Sequence, residues 1–176
     1  MFLIIRISWS KHADIPLSVI KYSHLTTGAI QMGIKLNVPL VKQLTKMSCW
    51  YASVCMVAYY REAGPRLGLP EKWKAISGIN LNDFVKLAQA EGLVSIKSPA
   101  SKLTEQQLEI FLRNNGPIWC AGRWDGVPHI VVLTGVDKGS VFINDPNPAK
   151  GKRTETLAWF NEKLDNHVQN CMMYKA

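Results

Sequence analysis

The run CWYASVCMVAYY, residues 49–60, constrains this chain more than any other segment. It holds no charge, Ser48 stands before it, and Gly64–Pro65 follows, which are start and stop signals for a helix. A helix apolar on most of its sides is a central one and needs other elements packed around it. The 176 residues, 47% apolar and 19% charged, can supply that surround as one domain, and they exclude wholesale disorder. Residues 1–176 therefore read as a single domain. Residues 1–37 form an N-terminal arm, with short strands expected at Leu3–Ile7 and Ile30–Val38.

Further along, Pro70–Glu71 opens a helical turn through Trp73 and Ile76. Asn80–Glu91 carries Phe84, Leu87 and Ala88 on one stripe, with Gly92 beyond its end, so an amphipathic helix is expected. Thr104 and Gln107 form a capping-box pattern ahead of QLEIFLRNNG, which gives another helix. The period then shortens. Ile118–Ala121 and IVVLTGV from Ile130 read as strands, and Ser140–Asn144 returns after the Asp137–Gly139 turn as an antiparallel hairpin. Thr156–Leu164 is expected as a last short helix and Val168–Tyr174 as a closing strand. Helices first and strands later, with no alternation between them, imply an α+β domain with an antiparallel sheet.

No apolar stretch approaches the roughly 18 residues that cross a bilayer, and MFLIIRISWS lacks the pattern of a signal peptide. The expectation is a protein that stays in the cytoplasm or reaches a target cell by a route needing no leader. Cys49, Cys55, Cys120 and Cys171, with His12, His24, His129 and His167, give no closely spaced ligand set, so neither a metal nor another cofactor is expected. The net charge of +8 is scattered, without the aromatic–basic alternation of a nucleic-acid binder. An acidic protein partner fits that charge better than nucleic acid does.

One cysteine has unusual neighbours. Cys49 opens the central helix, where unpaired N–H groups and the positive end of the dipole favour a thiolate. His129 stands at the mouth of a strand and can exchange a proton with that thiolate across a cleft. Asp145 lies sixteen residues later, at the end of the returning strand, where it comes back alongside His129 and can fix its tautomer. Asn144 competes for that place, but alternation along the strand points it to the opposite face. Gln43, six residues before Cys49, can offer an amide N–H to an oxyanion. Ser48 and Trp50 flank the cysteine, and Trp124 lies in the polar RWDGVP segment leading to His129. These three are expected beside the substrate cleft.

Gln43, KMSCW with Cys49 and Trp50, PHIVVLTGVD with His129, and INDP with Asp145 together resemble the papain-like cysteine peptidases. The signature C-G-[SA]-C-[WY] survives at its S-C-W end, with Met47 and Lys46 in place of the Gly and the first Cys. An aspartate as third member and the small size are similar to compact bacterial members, namely the double-glycine peptidases of bacteriocin exporters and papain-like secreted effectors. The resemblance spans about residues 38–148. It implies a helical half led by Cys49, a sheet half holding His129 and Asp145, and a peptide cleft between them. It further implies a thiol endopeptidase that leaves a small residue such as Gly on the acyl side. A bacterial effector or toxin countered by an immunity or inhibitor protein is the implied setting. The same residues would serve a deamidase, a transglutaminase-like transferase or an isopeptidase, and a non-catalytic binding domain would bury Cys49 unreactive.

Overall fold

The computed structural model describes residues 33–176 apart from 65, 66, 71 and 98–101. The expected strand at Leu3–Ile7 and most of the arm lie outside the described residues. The charge-free run forms α1 (Cys49–Arg61), buried along Trp50 and Ala52–Ala58. α2 (Leu81–Glu91) starts at a reciprocal capping box between Asn80 and Asp83 and stops at Gly92, whose φ of 59° is the left-handed conformation that ends helices. α3 (Glu105–Asn115) begins at the capping box of Thr104 and Gln107. Residues 72–77 form successive turns through Trp73 and Ile76, with the Trp73 and Ala75 N–H groups donating to the Pro70 and Lys72 carbonyls at 2.9 and 3.3 Å.

Among the described residues the sheet is antiparallel and seven-stranded, ordered β2 (Leu93–Ser95), β7 (Met172–Lys175), β3 (Ile118–Gly122), β4 (His129–Asp137), β5 (Ser140–Asp145), β6 (Gly151–Thr156). The short β1 (Ile34–Lys35) pairs with β4 near a register shift between Leu133 and Gly135. Gly135 is required at that crossing, because a Cβ there would lie 2.4 Å from the carbonyl oxygen of Ile34. α4 (Leu157–Lys163) follows β6 and is capped by Thr156.

Two strands escaped the sequence reading. β2 is three residues long, and β6 (GKRTET) is polar, pairing only with β5 among the described strands. Neither shows the apolar alternation that betrays a half-buried strand.

α1 packs on β3, β4 and β7. Two buried hydrogen bonds fix it there: Ser53 Oγ donates to the Ile130 carbonyl at 3.4 Å, and Trp119 Nε1 donates to the Trp50 carbonyl at 3.4 Å. Each lies one residue from the end that matters, Trp50 after Cys49 and Ile130 after His129. The start of α1 and the mouth of β4 are thereby held beside one another.

Candidate active site

A cleft of about 810 Å³ opens between the start of α1 and the mouth of β4, and Gln43, Cys49 and His129 all line it. Cys49 is partly exposed, whereas Cys55, Cys120 and Cys171 are buried. Burial pushes the Cys120 thiol far up and raises Cys171 to about 11, with Asp165 adding to the latter, so both favour the neutral thiol.

Ser48 occupies the N-cap position but does not cap. Its hydroxyl donates to the Thr45 carbonyl at 3.2 Å and accepts from the Thr45 N–H at 3.0 Å. The Ser48 side chain makes no capping hydrogen bond, and no acidic residue stands in the first turn of α1. The positive end of the helix is therefore left to Cys49 and whatever enters the cleft.

His129 Nε2 meets Asp145 Oδ1 at 2.8 Å, and the imidazole shares the cleft with Cys49. Burial alone would depress the imidazole, but the Asp145 bond and the neighbouring Cys49 outweigh this and hold its pKa at about 9. Burial also works against the Asp145 carboxylate. The His129 bond, the Asn147 N–H at 2.9 Å and Arg153 at 3.1 Å overcome it and keep the carboxyl below its usual range. The Asn147 contact is an Asx-type turn, which the Asp-Pro-Asn sequence favours.

Asn144 points away from His129 and donates to the carbonyls of Val38 and Pro39 at 3.2 and 3.4 Å. Gln43 reaches the cleft, with its backbone N–H bound to the Pro146 carbonyl at 2.8 Å. Its amide nitrogen donates to the Thr45 and Lys46 carbonyls at 2.9 and 3.2 Å. Its Oε1 is buried without a partner among the described residues.

The three expected cleft neighbours are placed otherwise. Trp124 is 1% exposed and stacks on Phe160 at 5.2 Å, with Trp159 at 5.5 Å. α4 covers its large apolar ring, and only the flanking turn is polar. Trp50 is buried edge-on against Tyr51 and Trp73, and Ser48 is buried in its bonds to Thr45. Neither they nor Trp124 line the cleft. Its apolar surface comes instead from Met47, Ile79, Leu81 and Phe84 on the helical side and Val127 on the strand side. The sequence had assigned Phe84 to an inward stripe, and Val127, two residues before His129, was the overlooked signal.

The model of the family described as papain-like cysteine protease AvrRpt2 matches residues 32–165, which include every residue of this cleft up to Asp165. The chain belongs to this family. It is a papain-like cysteine protease, as its sequence resemblance implied. Solved structures agree on the fold. A double glycine motif protease from an AMS/PCAT transporter, in complex with the leader peptide, is 20% identical, with a TM-score of 0.52 over 80% of this chain and 91% of the other. The peptidase domain of Streptococcus ComA, a bi-functional ABC transporter of a quorum-sensing pathway, is 18% identical, with a TM-score of 0.51 over 76% and 93%. The helices packed on an antiparallel sheet in this chain are similar to the fold of those peptidase domains. No helix among the described residues is long and apolar enough to cross a membrane.

Proposed function

We infer that this cysteine protease is an endopeptidase working through Cys49, His129 and Asp145, with Gln43 at the oxyanion. The observation that carries the reading is that Cys49 and His129 line one cleft while His129 Nε2 is held by Asp145 Oδ1 at 2.8 Å. The Cys49 thiolate attacks the scissile carbonyl carbon, and the carbonyl oxygen takes up the negative charge. The Cys49 N–H and the Gln43 amide, exchanging a loop carbonyl for the substrate, donate to that oxygen. As the C–N bond breaks, protonated His129 gives its proton to the leaving amine, leaving a thioester on Cys49. Water then attacks the thioester while His129 takes its proton, and the acid and free Cys49 result. Asp145 holds the imidazole by Nε2, so that Nδ1 serves the sulfur.

A small acyl-side residue such as Gly is supported by the structural likeness to double-glycine proteases. The reading extends to an effector that acts on proteins of another cell and is restrained in its producer by an immunity or inhibitor protein. A net charge of +8 suits an acidic inhibitor. The deciding experiment compares a lysate treated with the protein against one treated with Cys49→Ala, reading new N-termini and intact masses. New N-termini after small residues, absent with Cys49→Ala, are expected. Uncut chains heavier by about one dalton would instead mean deamidation by the same acyl-enzyme chemistry.

A further inference from the structure

Arg153 lies on β6, opposite Ile143, and Gly151 on the same strand lies opposite Asp145. Residues two apart on a strand share a face, so Arg153 and Asp145 are diagonal neighbours across the β5–β6 pair. Arg153 is only 14% exposed in its side chain, and all five of its N–H donors have an acceptor within reach. Nε and Nη2 reach Glu155 at 3.1 and 2.7 Å. Nη1 reaches Asp145 Oδ2 and Asp125 Oδ2, both at 3.1 Å, and Nη2 also approaches Asp125 Oδ1 at 3.4 Å. The guanidinium carbon sits 5.2 Å from the centre of the Trp159 ring, which supports its plane.

We propose that Arg153 is a positioning residue of the triad, holding Asp145 in line with His129 and tying it through Asp125 to the β3–β4 loop of the cleft. The proposal rests on the triad reading above. Asp145 is wholly buried, and its two oxygens are used differently. Oδ1 accepts from His129 and the Asn147 N–H, and Oδ2 accepts from Arg153. Bonds to one oxygen leave the carboxylate free to twist, and a bond to the second fixes its plane. Without Arg153, a buried carboxylate oxygen would lose its charge-assisted partner, which favours protonation of the acid.

The other arm of the fork goes to the substrate side. Asp125 lines the cleft and sits four residues before His129 on the same loop. A guanidinium holds both carboxylates at fixed angles because its donors diverge in a rigid plane, whereas an ammonium is a point charge with three freely rotating donors. His129 itself faces Cys49 from α1 and Asp145 from β5. The remaining charged or titratable cleft groups are Lys46, Arg123, Asp125, Lys150, Asp165 and His167.

The test measures kcat and KM against pH on a cleavable peptide, for folded variants of the full chain. Arg153→Met should raise the acid limb of kcat/KM by about one pH unit, since an adjacent arginine depresses an aspartate by 1–3 units. It should also lower kcat about tenfold or more through misplacement of the imidazole. If Arg153→Met does not fold, Arg153→Gln keeps a hydrogen bond without the charge and should move the limb the same way. Arg153→Lys should restore the acid limb but leave KM raised severalfold, because it keeps the charge and loses the rigid bridge. Asp125→Asn should raise KM severalfold with the acid limb in place. An Arg153 variant, folded, with wild-type limb and kcat while Asp145→Ala loses activity would overturn the proposal alone. Full activity in Asp145→Ala would overturn the triad reading and this proposal together. An unchanged KM in Asp125→Asn would remove the loop tether.

Discussion

On the sheet side of the cleft, His129, Asp145 and Arg153 stand in a chain of short, charge-assisted contacts around the buried Asp145 carboxylate that ends at the exposed Asp125 and the half-buried Glu155. On the helical side, Cys49 and Gln43 stand on a helix start that Ser48 does not cap and on a loop held by uncharged hydrogen bonds, without an ion pair among the described residues. That side also exposes apolar surface, with Met47 at 40%, Leu81 at 56% and Ile76 at 93%. The difference assigns labour. An ionic network around a buried carboxylate keeps a proton carrier at a fixed charge and angle, whereas an open, apolar wall suits contact with a substrate side chain. On the proposed reading, damage to the sheet side should appear in kcat and in pH dependence, and damage to the helical rim in KM.

The largest effect tests where the nucleophile lies. Cys49→Ala should reduce kcat/KM by about 10⁴-fold or more, as loss of a nucleophile does. Replacing Cys55, Cys120 and Cys171 together should leave activity measurable in whatever fraction folds, since all three are buried away from the cleft. Rapid alkylation of a single thiol, lost in Cys49→Ala, is the companion measurement. A protein still active without Cys49 would break the comparison at its root.

Next come the two polar supports, one from each wall. Gln43→Ala should lower kcat by roughly 10²–10³-fold, the loss that one oxyanion donor brings, with little change in thermal unfolding. Asp145→Ala should cost roughly 10–10³-fold in kcat/KM, less than the roughly 10⁴-fold seen when a serine-protease histidine loses its aspartate, because a thiolate–imidazolium pair forms without a third member. Asp145→Asn should be milder, since an amide oxygen still accepts the imidazole N–H. Asn144→Ala is the control: it removes bonds to Val38 and Pro39, so Tm should fall more than activity.

The sheet-side network also sets a pH window. The His129 pKa is raised from 6.5 to about 9, so its ion pair stabilises the fold fully below about 6.5. That contribution is lost as pH rises through about 9. The Asp145 carboxyl is lowered, so its contribution is present above the unfolded carboxylate range and lost on acidification. Tm should therefore be highest in mildly acidic buffer and decline toward pH 9. Because protonated His129 supplies the leaving amine, kcat/KM should share that alkaline limb. A limb near 6.5 would mean that Asp145 does not support the imidazolium.

The two walls were not equally legible in the sequence. An apolar stripe with Gly92 beyond it gave α2, a capping box gave α3, and a charge-free run gave α1, because these are local signals. Asp145 could be placed beside His129 because a hairpin is also local, and its length brings the chain back over a fixed distance. Arg153 was invisible. It sits on a polar edge strand without apolar alternation, and its meaning comes from Asp125, which lies twenty-eight residues away. Trp124 was misread for a related reason. Asp125 and Gly126 made its surroundings look like an exposed turn, while the residue that covers it, Phe160, comes from a helix much later in the chain. Long-range partners decide both cases, and neither periodicity nor capping reports them.

The smallest effects separate the rim from the core. Val127 is 59% exposed and lines the cleft, while Trp124, three residues earlier on the same loop, is buried under α4. Val127→Ala removes two carbons of apolar contact at roughly 0.8 kcal/mol per buried CH₂, so KM should rise by about tenfold at most, with kcat kept. Leu81→Ala and Met47→Ala on the opposite wall should act in the same sense, since both side chains line the cleft and are half free of the fold. Trp124→Ala should behave otherwise. It empties a stacked aromatic site in the core, which typically costs about 3–5 kcal/mol of stability, and the surviving folded protein should keep its KM. Chemical denaturation and peptide kinetics on the four variants give the answer. A raised KM for Trp124→Ala with unchanged stability would return that ring to the substrate. Unchanged KM in all three rim variants would move substrate contact away from the apolar wall.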